Sequence, residues 1–121
     1  MRAAIYARSS KERRDVSVPS QVEELKALAK AEGDLMVRVF KDKAESAKSD
    51  DRPAFQEMIA LAKSKDRPFE RVYCYDTSRF SRRREHAAAY KTILKKAGVE
   101  LVFLKLPKSD SYLDGIIEGV F

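Results

Sequence analysis

Cysteine and histidine each occur once in the 121 residues, as Cys74 and His86. One cysteine excludes an internal disulfide, and with one histidine it also excludes a Cys/His zinc site. Cys74 falls inside an apolar strand pattern and reads as core. A serine–histidine–aspartate triad is excluded by the same inventory, because His86 lies in a helical pattern and reads as a surface residue. No apolar run reaches the length of a membrane span, and the N-terminal stretch lacks a signal-peptide core. The expected location is therefore the cytoplasm, in association with the nucleoid, with no membrane partner. Repeats, low-complexity stretches and linkers are missing too, so residues 1–121 read as a single domain.

What is present is a globular composition with an excess of basic charge. Hydrophobic residues make up 44% and charged residues 36% of the chain. Lys and Arg number 25 against 19 Asp and Glu, a formal charge of +6. That excess suits a polyanionic partner when it gathers on one face. The basic residues do cluster, most densely from Arg79 to Arg84.

Periodicity alternates strand and helix. Strands are expected at 2–8, 35–41, 69–76 and 99–105, and helices at 18–32, 52–64 and 84–97, with a last helix from about 110. Val22, Leu25, Leu28 and Ala29 share one helical face, as do Phe55, Met58, Ile59 and Ala62, and Tyr90, Ile93, Leu94 and Ala97. Ser17 or Ser20 can cap the first helix, Ser20 and Glu23 having capping-box spacing. Pro53 suits a first helical turn, and Gly33 and Gly98 suit helix ends. The alternation implies an α/β fold: a mainly parallel sheet of four to five strands with helices on both faces. Ligands of such sheets gather at the carboxyl ends of the strands, near a switch in strand order.

Four stretches stand at those ends. Tyr6-Ala7-Arg8-Ser9-Ser10 closes the first strand, and extended backbone would put Tyr6, Arg8 and Ser10 on one side. Ser17-Val18-Pro19-Ser20-Gln21 opens the first helix. Residues 45–55, Glu-Ser-Ala-Lys-Ser-Asp-Asp-Arg-Pro-Ala-Phe, lead into the second helix. Tyr75-Asp76-Thr77-Ser78-Arg79-Phe80-Ser81-Arg82 follows the third strand. A hydroxyl beside guanidinium groups supplies a nucleophile and fixed positive charge for a phosphate under attack. Arginine suits that task because its planar fork binds two phosphate oxygens and stays protonated.

In this order the four stretches resemble the catalytic domain of the serine recombinases, the resolvase and invertase family, and within it the large serine integrases. The resemblance spans Ala4 to about Val120. It implies a resolvase-like fold that cuts double-stranded DNA with a serine, which becomes joined to a 5′ phosphate. Strand exchange by subunit rotation and religation follow, without metal or other cofactor. The full-length parent is expected to form a dimer and a synaptic tetramer. Carried over by motif, Ser10 is the nucleophile, Arg8, Arg52, Arg79 and Arg82 are its catalytic cations, and Tyr6, Gln21 and Asp76 support them. Asp76 is also a candidate proton relay or a cap for the turn that follows it.

Departures from the family pattern are informative. Ser78 stands where many small recombinases have aspartate before the arginine, a form shared with large integrases. The family's late glutamate finds no match, since Glu118 comes too early. With an unfinished apolar face at Leu113, Ile116, Ile117 and Val120, the expectation is a catalytic domain truncated in or before its long last helix, folded but inactive by itself. Two other classes compete on the residues. One is a metal-dependent phosphotransfer or nuclease domain using Asp42, Asp50 or Asp51, and Asp76. The other is a non-catalytic module docking a partner through its last helix.

Overall fold

The run Ala3–Ala7 has no polar side, which only a strand covered on both faces can tolerate. In the computed structural model, which describes residues 1–9, 17–43, 52–81 and 84–105, that run is the middle of β1 (Arg2–Arg8), and every residue in it is 0% exposed. The chain continues through α1 (Val18–Ala31), β2 (Leu35–Asp42), α2 (Pro53–Ala62), β3 (Arg71–Cys74), α3 (Thr77–Phe80), α4 (Arg84–Lys96) and β4 (Glu100–Phe103). The described strands form one parallel sheet in the order β2-β1-β3-β4. The chain therefore winds outward from β1 in both directions, and the switch in strand order lies between β1 and β3.

Period-two alternation in β1 separates two cores. Ala3, Ile5 and Ala7 pack with Leu25 and Ala29 of α1 and with Tyr73. Ala4 and Tyr6 face the opposite way, into a larger core with Phe40, Phe55, Met58, Val72, Cys74, Phe80 and Leu94. Helices thus cover both faces, α1 on one and α2 with α4 on the other. Phe55 is central to the larger core, its ring edge-to-face with Tyr6 at 5.1 Å, Phe80 at 5.4 Å and Tyr90 at 4.8 Å. Each such pair adds about 0.5–1.5 kcal/mol beyond the area it buries. Cys74 is fully buried there, and desolvation pushes its thiol well above the ordinary value, as befits an inert core residue.

Local signals place the helix ends. Ser17 caps α1, its hydroxyl accepting from the Ser20 amide at 3.3 Å. Ser20 lies inside the helix, so the Ser20–Glu23 capping box is not used. Pro53 opens α2, and Gly33 and Gly98 end α1 and α4 at φ of 78° and 81°. The third strand is shorter than its apolar pattern, because the backbone turns at Asp76 into the single-turn helix α3. The expected last helix lies outside the described residues.

At the amino edge of the sheet, Asp34 is a second organiser. Its carboxylate accepts from the Tyr73 hydroxyl at 2.5 Å and from Arg71 at 2.8 Å, and lies 3.2 Å from the Met1 amine. Arg71 also reaches Glu100 at 2.8 Å, joining β3 to β4. Burial opposes ionisation of Asp34, but the bonds from Tyr73, Arg71 and the amine outweigh it and hold the carboxyl below its ordinary value. A carboxyl depressed by folding stabilises the fold above its unfolded value and ceases to do so as pH falls through the folded one. Asp34→Asn is expected to cost roughly 1–3 kcal/mol at neutral pH by urea denaturation. The difference from wild type should shrink as the pH drops below the ordinary 3.8.

Candidate active site

The carboxyl edge collects the ends of all four described strands, and one carboxylate organises it. Pro53 has no N–H, and the formal cap of α2, Arg52, makes no side-chain cap bond. The first-turn donors of α2 must therefore find an acceptor elsewhere. Asp42, in register with Arg8 at the end of β2, supplies it. One of its oxygens accepts from the Ala54 amide at 3.0 Å, and the other from the Phe55 amide at 3.0 Å. The second oxygen also accepts from the Tyr6 hydroxyl at 2.8 Å. The negative charge sits at the positive end of the helix dipole. Burial first, then the bond to Asp42, pushes the Tyr6 phenol far above its ordinary value, against the pull of Arg52 and Arg8. Tyr6 therefore remains a donor.

Gln21 performs a second backbone task. It is 0% exposed, and its amide nitrogen donates to the Arg8 carbonyl at 3.0 Å while its amide oxygen accepts from the Arg8 N–H at 3.4 Å. The side chain thus imitates a neighbouring strand where the sheet has ended. This holds the last residue of β1 against α1. The next amide, of Ser9, donates to the Asp42 carbonyl at 3.3 Å, prolonging the β1–β2 pairing by one residue.

Arg52 lies at the mouth of α2 but points inward, only 3% exposed. Its guanidinium stacks 3.8 Å from the centre of the Phe55 ring and donates to the Phe80 carbonyl at 2.5 Å. The start of α2 is thereby tied to the end of α3. Asp76 caps α3 by accepting from the Arg79 amide at 3.0 Å, and its second oxygen lies 3.6 Å from the Arg79 guanidinium. Arg79 is held over its own turn, with its side chain 12% exposed. The side chain is therefore largely covered. The reason is the company it keeps: Asp76 on one side and the Tyr75 ring, 6.0 Å away, on another.

The structure therefore brings Tyr6, Arg8, Gln21, Arg52, Asp76 and Arg79 to one edge. Ser10 and Arg82 lie outside the described residues, as do Asp50 and Asp51. Asp42 was expected only as a ligand of the alternative metal set, and its place is different. Both its oxygens are engaged by Tyr6 and the α2 amides, and the carboxylate of Asp76 is turned to its own helix. Among the described residues no three histidine, cysteine or acidic side chains converge as a metal site. A signal for Asp42 exists in the sequence: a proline-led helix preceded by arginine has no local cap. What the sequence does not reveal is which distant acceptor serves it.

Asp42→Asn keeps the shape but removes the charge, and is expected to lower stability by roughly 1–3 kcal/mol. Tyr6→Phe should cost less, about 1 kcal/mol, because the two amides still satisfy the carboxylate. Denaturant titration of the two single variants and the double variant checks this, and the double variant should fall short of the sum.

Comparison with known proteins agrees with this architecture. The chain matches the family described as "Resolvase, N terminal domain" over residues 3–121. Among solved structures, the N-terminal catalytic domain of TP901-1 integrase superposes with a TM-score of 0.76 at 24% identity, covering 99% of this chain and 93% of that one. A resolvase family site-specific recombinase from Streptococcus pneumoniae gives 0.75 at 22% identity, covering 99% and 87%. The catalytic domain of ISC1926 TnpA, an IS607-like serine recombinase, gives 0.73 at 23%, covering 99% and 80%. At such identities these likenesses speak for the fold. No curated protein sequence matches the chain. The match over nearly its whole length shows that the chain belongs to the resolvase N-terminal-domain family, on a parallel-sheet fold shared with solved recombinase domains.

Proposed function

We propose that the carboxyl edge cleaves and rejoins double-stranded DNA, with Ser10 as nucleophile and Arg8, Arg52, Arg79 and Arg82 as the cations that meet the phosphate. The observation that carries this reading is convergence. Three separate segments deliver Arg8, Arg52 and Arg79 to one edge, and Asp76 pairs with Arg79 there. Guanidinium groups gathered at one edge suit an anionic ligand, because each planar fork can bind two phosphate oxygens.

In the proposed step the Ser10 Oγ forms a bond to phosphorus, and the bond from phosphorus to the 3′ oxygen breaks. The serine gives up its proton, and the departing 3′ oxygen gains one, so the exchange is balanced. The product is a 5′-phosphoserine and a free 3′ hydroxyl, and religation runs the same bonds in reverse. Charge builds on the phosphoryl oxygens as the two bonds exchange. Arginines already fixed at the site stabilise that charge without reorganising. Gln21 and Asp42 act one layer behind, holding the Arg8 backbone and the start of α2.

No helix among the described residues is long and apolar enough to cross a membrane. Action on DNA in the cytoplasm, with dimer and synaptic tetramer formation in a longer recombinase, belongs to the same proposal. Under conditions that trap the cleaved state, the full-length recombinase and its recombination site should yield a covalent protein–DNA adduct in EDTA. Ser10→Ala should yield none, and an adduct surviving that change would overturn the assignment. Arg79→Ala and Arg82→Ala should slow cleavage about a hundredfold or more, with the circular dichroism spectrum unchanged. Arg79→Lys should be impaired roughly tenfold, because a point charge cannot replace a planar fork.

A further inference from the structure

The fourth strand contributes a cation to the same edge that the cleavage step leaves unused. Tyr75, the first residue beyond β3, is 5% exposed. The Arg79 guanidinium lies 6.0 Å from the centre of its ring, and the Lys105 ammonium lies 5.4 Å from the same centre. Lys105 follows β4, and its amide donates to the Tyr75 carbonyl at 2.8 Å. This bond carries the β3–β4 pairing past Cys74 and Phe103, where the strand register ends. The backbone therefore sets Lys105 beside Tyr75 before its side chain contributes anything.

An exposed lysine ordinarily sweeps a wide arc, since its four-carbon stem is flexible. Lys105 is restrained instead. Its ammonium lies over the Tyr75 ring, 5.4 Å from the centre and within cation–π reach, and Tyr75, Glu24 of α1 and Asp76 favour its charged form. The side chain remains exposed, so the cation is held in place but still reachable by a large ligand. Arg79 and Lys105 thus share one aromatic side chain as their support, at the carboxyl ends of adjacent strands.

We propose that Lys105, held on Tyr75 beside Arg79, binds a backbone phosphate of duplex DNA next to the one under attack. Tyr75 is then the positioning residue for this contact. The proposal rests on the reading of this edge as the DNA-facing one. The chemistry is that of a fixed ammonium meeting a phosphodiester, indifferent to base sequence.

Salt dependence of binding counts such contacts, because each neutralised phosphate releases counterions. The test is fluorescence anisotropy of the whole chain with a labelled 20-base-pair duplex of arbitrary sequence across a sodium chloride series. Lys105→Ala should weaken binding and reduce the slope of log affinity against log salt by about 0.9, while Lys105→Arg retains it. Lys63→Ala, at the far end of α2, should leave the slope unchanged. Tyr75→Phe should weaken binding less than Lys105→Ala does, and should add nothing in the Lys105→Ala background. Additive losses would overturn the positioning role of Tyr75. An unchanged slope for Lys105→Ala beside a reduced one for Arg79→Ala would overturn the Lys105 contact while the DNA-facing edge stands. If neither change alters the slope, or if the chain does not bind the duplex, the Lys105 contact falls, while the cleavage reading is decided by the Ser10 adduct.

Discussion

The carboxylate of Asp42 joins three pieces of chain that have no local reason to meet. It accepts from Tyr6 on the central strand and from two amides opening α2, while itself ending β2. Without an acceptor there, the first turn of α2 would bury unsatisfied donors, each costing about 1–3 kcal/mol. The placement of Arg52 follows from this bond, because Arg52 is the residue directly before the capped turn. The direction of Arg8 follows as well, since the Tyr6 and Arg8 side chains leave the same strand on the same face. One buried ion thus fixes where two of the described arginines begin.

Buried arginines are costly, and their arrangement shows how the fold manages them. The Arg52 guanidinium lies on an aromatic face and takes a carbonyl at the end of α3, a place where helices leave acceptors unused. Arg79 is held by the aspartate that caps its own turn. Such supports position the cations in a low-dielectric setting before any substrate arrives. That is the condition under which electrostatic stabilisation of a phosphoryl transition state is most effective.

The two edges of the sheet use the same residue types to different ends. At the amino edge Arg71 lies between Asp34 and Glu100, and Arg2 pairs with Glu70 at 2.6 Å. Those pairs tie neighbouring strands to one another. At the carboxyl edge Arg8, Arg52 and Arg79 face Asp42 and Asp76, with Lys105 beyond them. The doubly wound strand order is what gathers these cations there.

Much of the fold could be read along the chain because its signals are local. Apolar faces at Leu25 and Ala29, at Phe55 and Met58, and at Leu94 depend only on helical spacing, and each is buried as that spacing implies. The Ser17 cap and the glycine helix ends are equally local. The motif residues Tyr6, Arg8, Gln21, Arg52, Asp76 and Arg79 could be singled out because their blocks recur in order along a family. Tertiary structure decided what each does. It made Gln21 a surrogate strand for Arg8, turned Asp42 from a conceivable metal ligand into the cap of a helix eleven residues further on, and placed Lys105 on Tyr75 beside Arg79. Such roles depend on which distant donor meets which acceptor, and spacing along one chain carries no information about that meeting.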